Sequence, residues 1–236
     1  MGRRGFLRTA SGLLVSGGLL AACDSEGPRS AQPLLDFAER QNERLERGLF
    51  RHTSMARVPG GARAAGDAFP SYHIADEEPE WDVATNGTWA LAVGGLVRTP
   101  LRITLEALMA MPRVTQRVPH YCVEGWTAVA EVTGVRVREL ATLAGAHPQA
   151  GYVDFTSFDE GYHESWDRES AEHDQTLVVY AKDGQPLSPK YGAPARVHSP
   201  TRLGYKNTKY LTSVMFMADR NGGYWTDRGY EWYGGT

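Results

Sequence analysis

The chain predicts an α+β fold with mixed sheets and short helices. Three observations carry that expectation. From Phe69 onward, short alternating segments read as strands. Short capped helices are interspersed among them. No regular strand-helix-strand rhythm of a doubly wound sheet recurs.

The N-terminus reads as a leader. Gly2-Arg3-Arg4-Gly5-Phe6-Leu7-Arg8 precedes an apolar stretch from Thr9 to Ala22, the pattern of a bacterial twin-arginine (Tat) signal peptide. Ser11, Gly12, Ser16, Gly17 and Gly18 break that stretch, which falls short of the roughly 20 apolar residues needed to span a bilayer. Leu20-Ala21-Ala22-Cys23 looks like a lipoprotein box, in which Cys23 becomes the lipidated first residue. Asp24 resembles the signal that retains such lipoproteins on the inner membrane. The expected location is therefore the periplasmic side of that membrane, with a lipid anchor on Cys23.

Residues 23–68 are expected to form a tether and an amphipathic helix. Leu34, Phe37, Ala38, Leu45 and Leu49 fall near one face between Pro33 and Phe50. Arg51 to Ala68 is rich in Gly, Ala and Arg and reads as an irregular connector, which places the start of the main domain, residues 69–236, at Phe69. Trp89 to Val93 alternates like a strand, with Gly94-Gly95 expected to turn it. Thr104 is placed to cap a helix from Leu105 to Met111, stopped by Pro112. Arg113 to Tyr121 reads extended and delivers Cys122 into a loop. Val137 to Ala144 reads as a helix ended by Gly145. Tyr152–Phe158, Thr176–Ala181, Ala195–Ser199 and Tyr210–Met217 read as strands, and Asp183-Gly184 as a hairpin turn.

Removing residues 1–22 leaves 214 of the 236 residues, enough for one domain with a full core. The leader carries Arg3, Arg4 and Arg8 and no acid, so the formal charge of -3 becomes about -6 in the mature chain. Nothing in that balance suggests a nucleic-acid partner.

The chain has two cysteines, and the lipobox accounts for one. Cys122, in His120-Tyr121-Cys122-Val123-Glu124-Gly125-Trp126, then has no partner for a disulfide in an oxidising compartment. It is either buried and inert or kept for chemistry, such as metal ligation. Three later segments accompany it. Phe155-Thr156-Ser157-Phe158-Asp159 ends a strand in hydroxyls. Tyr191-Gly192-Ala193-Pro194-Ala195-Arg196 and Leu203-Gly204-Tyr205-Lys206-Asn207-Thr208-Lys209 supply cations and amides suited to a phosphorylated ligand.

These segments, in this order and spacing, resemble the molybdopterin-binding domain of the sulfite oxidase fold. The nearest subgroup looks like the catalytic subunit of the periplasmic methionine-sulfoxide reductase. The resemblance covers about Phe69 to Tyr230 and implies a molybdopterin-binding catalytic domain holding Mo-molybdopterin. It implies Cys122 as the protein's ligand to molybdenum, with Ser157, Arg196, Asn207, Thr208 and Lys209 contacting the pterin. Tyr72 and His73 match a cofactor-contacting segment loosely. Tyr191 stands where the family shows Asn or His, so its contact departs from the pattern. Glu124, two residues from the metal ligand, is expected to act on the substrate side. The aromatic run from Tyr224 to Tyr233 is expected to be edge packing.

Rival chemistries lack their motifs. There is no His-Glu-x-x-His or paired-cysteine zinc spacing, no Gly-x-Ser-x-Gly elbow and no Walker-type phosphate loop. No Cys-x-x-Cys-His haem site occurs, so a membrane-associated haem- or quinol-linked electron donor is expected as a partner. Sulfite oxidases follow the cysteine closely with arginine, whereas here Glu124 would repel a sulfite dianion. With the chain ending at Thr236, no dimerisation domain is expected. Both points favour a monomeric reductase acting on a sulfoxide, including methionine sulfoxide on proteins. A sulfite oxidase-like enzyme and a non-catalytic lipoprotein on the same fold are the alternatives.

Overall fold

A computed structural model describes residues 31–49, 54–58 and 60–236. Residues 1–30, which hold the leader motif, Cys23 and Asp24, lie outside the described residues. The chain divides into two compact units, residues 1–45 and 46–236. Helix α1 spans Gln32–Leu49, one residue off the expected bounds at each end, and its residues 32–45 make up nearly all of the described part of the first unit.

The second unit holds short helices, among them α2 (Val83–Asn86), and two five-stranded sheets. One combines β1 (Ala90–Gly95), β2 (Leu101–Thr104), β5 (Tyr152–Ser157), β6 (His163–Asp167) and β10 (Leu211–Met217), in the order β2-β1-β10-β5-β6. Only β1 and β10 pair in parallel; the other neighbours are antiparallel. The other sheet runs β3 (Val114–Tyr121), β4 (Thr127–Arg136), β7 (Leu177–Lys182), β8 (Gln185–Pro186), with β9 (Arg196–His198) also on β7. This is the expected α+β class with mixed sheets and short helices.

Strand alternation explains how the sheets pack. Val178 and Val197 join Leu91, Val153, Phe155, Val214 and Phe216 in the main core, together with Leu140 of α4 (Val137–Ala144). Their neighbours Leu177 and Val179 point the other way, into a second cluster with Phe69, Val118, Val132 and Tyr191. β7 is thus buried on both faces, which is why it reads as a nearly unbroken apolar run.

Local signals hold where they are strong. The Thr104 hydroxyl accepts from the Ala107 amide at 3.2 Å and caps α3 (Leu105–Ala110). Gly145 ends α4 in the left-handed region, and Asp183 and Gly184, both at positive φ, turn β7 into β8. Gly94 and Gly95 behave differently from expectation. They do not turn β1 but extend it, pairing with Met215 and Phe216, and a side chain on Gly95 would collide with the Phe216 backbone.

Strands β4 and β6 are elements that alternation did not reveal. β4 is interrupted by Gly134, whose lack of a Cβ admits the Val178 carbonyl. β6 is His-Glu-Ser-Trp-Asp, four polar residues of five, yet Glu164, Ser165 and Asp167 are buried. Their partners explain it. Lys206 Nζ donates to Glu164 Oε2 at 2.5 Å and to the Ser165 carbonyl at 3.2 Å, and both side chains are fully buried. Asp167 accepts from Arg202, which is 2% exposed.

Lys206 is therefore a structural cation and not one of the phosphate-directed donors its sequence neighbourhood suggested. Burial pushes the Glu164 carboxyl up and the Lys206 ammonium down, so the pair stands against a desolvation cost. Lys206→Met should lower stability by about 3–5 kcal/mol, because it strands a buried carboxylate. Adding Glu164→Gln should recover part of that loss. Denaturant melts of the two variants measure both effects.

Candidate active site

Cys122 sits at the tip of the β3–β4 hairpin. Its amide donates to the Trp126 carbonyl and its carbonyl accepts from the Gly125 amide, both at 3.0 Å. The ladder continues to Tyr121 and Thr127, so the thiol is carried on a braced turn. It faces a cavity of about 530 Å³. The β3–β4 turn, the loop after β5, the residues around Arg196, the loop 204–210, the segment 69–74 and the loop around Tyr224–Tyr230 all contribute walls.

The cavity brings most of the expected residues together. Tyr72, His73, Cys122, Glu124, Ser157, Arg196, Asn207 and Lys209 all line it. Two expected residues do not. Tyr191 is 7% exposed and points into the second core cluster, where its ring meets Phe69 edge-on at 5.9 Å. Its hydroxyl is within 3.3 Å of the Phe69 carbonyl. Only its backbone serves the site, through a carbonyl that accepts from Arg196. Thr208 is fully buried, and its hydroxyl lacks a protein partner. Its carbonyl accepts from the Val197 amide and so aligns the loop with β9.

Arg196 is the main buried cation of the wall. Its guanidinium donates to the carbonyls of Asn207 at 3.0 Å, Tyr191 at 3.3 Å and Val197 at 3.4 Å. Those acceptors are all neutral, and burial lowers its pKa to about 10. Lys209 lies nearby with Ser71 Oγ at 3.1 Å, the Lys190 carbonyl at 3.3 Å and the Tyr210 hydroxyl at 3.3 Å. Burial first, then the Arg196 charge, lowers its pKa to about 7. Gly192, at φ +95°, makes that placement possible: a Cβ there would lie 2.8 Å from Lys209 Cβ. A buried cation and a half-buried one, both with neutral hydrogen-bond partners, favour an anion in the cavity.

Asn207 works on the protein itself. Its side-chain oxygen accepts from the Ser199 amide at 2.6 Å, and its nitrogen donates to the Arg202 and Leu203 carbonyls. Ser157 Oγ accepts from the Asp159 amide at 2.9 Å. Asp159 in turn accepts from the amides of Ile74 at 2.7 Å and Ala75 at 2.9 Å. That carboxylate fixes the segment carrying Tyr72 and His73, a role its place at a strand end did not announce.

His120 is a further wall residue that stood unassigned in the cysteine motif. It is buried, stacks on Trp126 at 5.7 Å and on His198 at 5.4 Å, and contacts His198 through ring nitrogens 3.2 Å apart. Gly204 leaves room for it, since a Cβ there would lie 2.7 Å from His120 Nε2. Burial, with the Arg196 charge, lowers the His120 pKa to about 3, so the ring is neutral. The aromatic run divides: Tyr224, Trp225 and Tyr230 line the cavity, and Trp232 and Tyr233 are buried packing.

The thiol's surroundings select its chemistry. Burial, reinforced by the Glu124 charge, pushes the Cys122 thiol up, and the neighbouring histidine is neutral. A nucleophilic cysteine needs the opposite, a cation or base that favours thiolate. A soft ligand for a metal, deprotonated by the metal itself, fits. Among the described residues no cluster of three or more His, Cys, Asp or Glu side chains could hold a metal alone. A metal held largely by its own organic cofactor, with one protein sulfur, suits this donor set.

The fold and cavity thus describe a domain whose donor set suits an anionic organic cofactor that carries a metal. Residues 78–225 match the oxidoreductase molybdopterin-binding domain family, and the chain belongs to it. It is 37% identical, over 99% of its length and 88% of the relative's, to an Azospira oryzae protein provisionally designated protein-methionine-sulfoxide reductase subunit YedZ1. It is 32% identical to the Bacillus subtilis oxidoreductase YuiH, across 71% of this chain and 83% of that one. The protein-methionine-sulfoxide reductase catalytic subunit MsrP of Ralstonia nicotianae is 30% identical across 55% of this chain and 44% of its own. The sulfane dehydrogenase SoxCD of Paracoccus pantotrophus shares the fold, with a TM-score of 0.56 at 18% identity over 72% of this chain and 52% of that one.

The cation pair can be probed without a cofactor. Lys209, with a pKa of about 7, loses its charge as pH rises through that value. Sulfate, which keeps its charge over the range, should bind cofactor-free protein about tenfold more weakly at pH 8.5 than at pH 6. Lys209→Met should flatten that dependence. Isothermal titration across pH is the measurement.

Proposed function

We propose that this domain catalyses molybdenum-dependent oxygen-atom transfer in the reductive direction, on a neutral sulfoxide such as methionine sulfoxide in envelope proteins. One observation carries the direction. Glu124 lines the cavity, 3.7 Å from Cys122 Sγ, and its Oε2 accepts from Trp126 Nε1 at 3.0 Å and the Tyr72 hydroxyl at 2.9 Å. Those two donors, Trp126 foremost, hold its carboxyl below the usual range, so it is ionised at neutral pH. A fixed negative charge beside the proposed metal ligand opposes a sulfite dianion and leaves a neutral sulfoxide unpenalised. Similarity to the methionine-sulfoxide reductase proteins supports the same direction.

The donor set fits the cofactor. Cys122 would hold molybdenum through sulfur. Arg196 and Lys209 would balance the pterin phosphate, with Ser157, Tyr72 and His73 as polar wall groups and Asn207 and Thr208 shaping the loop beside it. When bound, that cofactor supplies two-electron oxygen-atom chemistry. The protein's part is access and orientation. Tyr72 keeps its proton, because its bond to Glu124 and the carboxylate charge raise its pKa. It therefore presents a fixed hydroxyl at the substrate side. His120 stays neutral, which avoids adding a second buried charge beside Arg196.

The working location is the periplasmic face of the inner membrane, with the lipidated Cys23 as anchor after Tat export and residues 69–236 as the catalytic domain. No described helix is long and apolar enough to cross a membrane. Electrons come from a membrane-associated haem- or quinol-linked donor, and the enzyme works as a monomer.

Natively exported protein should contain one molybdenum per chain and reduce sulfoxides with a reduced dye. Cys122→Ser should lose the metal and activity while keeping its circular dichroism spectrum. Robust sulfite oxidation without sulfoxide turnover would overturn the direction, and metal-free stable protein would overturn the enzyme. In Glu124→Gln, sulfite should become a several-fold stronger competitive inhibitor of sulfoxide reduction. An unchanged inhibition constant would remove the electrostatic argument.

A further inference from the structure

One wall of the cavity is aromatic in a way the cofactor residues do not explain. Trp225 and Tyr230 both line it, their rings 5.0 Å apart and tilted by 51°. Tyr205 meets Tyr230 edge-on at 5.4 Å. Beside them Tyr224, also in the lining and edge-on to Trp225 at 5.3 Å, is stacked on Tyr162 at 5.5 Å and covered by the Arg228 guanidinium at 3.6 Å. Seven residues beyond Trp225, Trp232 is buried to 2%; Tyr230, by contrast, is 39% exposed. The same stretch therefore contains rings used for packing and rings left open to the cavity.

The open rings are held in place. The Tyr224 amide donates to the His163 carbonyl at 2.8 Å, and the Trp225 amide to Glu164 Oε1 at 3.2 Å. Gly223 pairs with Glu164 and has no room for a side chain against that carboxylate. The Tyr205 hydroxyl donates to the Glu231 carbonyl at 2.5 Å. A surface fixed before ligand arrives loses little entropy on binding.

We propose that Trp225 and Tyr230 form the subsite for the organic flank of the substrate, with Tyr224 as its buttress. The inference rests on the sulfoxide reading above and adds what that reading leaves open, namely how the carbon part is chosen. Aromatic rings favour polarisable sulfur and the groups attached to it. They offer nothing to a small inorganic oxyanion. The selected class is a neutral sulfoxide bearing an apolar arm, in preference to one with two methyl groups.

The test compares holoenzymes with methyl p-tolyl sulfoxide and dimethyl sulfoxide. Trp225→Ala should lower the ratio of their kcat/KM values about tenfold, mainly through KM for the larger substrate, and Trp225→Phe should restore most of it. Tyr230→Ala should act in the same direction, and it serves if Trp225→Ala fails to load molybdenum. Parallel losses on both substrates, or an unchanged ratio, would overturn the subsite while leaving sulfoxide reduction intact. A second readout needs no turnover. Methyl p-tolyl sulfide should bind wild-type holoenzyme in calorimetry and bind the Trp225 or Tyr230 variant about tenfold more weakly. If no sulfoxide is reduced but that difference persists, the subsite stands and the reaction assignment falls. Equal binding by wild type and variants, or none by wild type, overturns the subsite.

Discussion

The buried guanidinium of Arg196 is the constraint around which the site is organised. Its donors reach backbone carbonyls from the turn at Tyr191, from β9 and from the loop at Asn207. Three stretches of chain are drawn together by one side chain. Its charge is left to be balanced from the cavity, because those carbonyls are neutral. A cation that both closes the loops and awaits an anion makes one residue serve folding and ligand binding together. Lys209 adds a weaker, titratable charge beside it, and Asn207 keeps its loop in register by spending its amide on neighbouring backbone.

Around this anchor the wall has a division of labour. The cation side suits a phosphate. The β3–β4 turn offers a sulfur on braced backbone. The Glu124 carboxylate, steadied by an indole and a phenol, gives the mouth a negative sign. These three features point to different parts of one bound assembly, and the assembly matches the family to which the chain belongs.

How much of this was legible in sequence depends on whether the signal was local. Thr104 and Gly145 mark helix ends by chemistry acting within a few residues, and the structure uses both that way. Cys122 stood out because it lacked a partner, and the companion segments converge on its cavity. Long-range pairing was not legible. β6 looks like a loop because its polar residues are satisfied by Lys206 and Arg202, some 40 residues away. The same blindness made Lys206 look like a phosphate donor. Tyr191 was unreadable for a related reason: which way a residue in a short turn faces is decided by Phe69, more than a hundred residues upstream. Asp159 and the split of the aromatic run likewise depend on tertiary neighbours.

The tie between Asp159 and the amides of Ile74 and Ala75 decides what holds one side of the cavity. Residues 70–74 belong to neither sheet, yet they line the wall. They are fastened by polar contacts from Asp159, Lys209 and Glu124, next to Phe69 in the second core cluster. Tyr72 and His73 are therefore placed by a handful of side-chain hydrogen bonds and not by a sheet ladder. That wall can change in sequence and position without altering the register of either sheet.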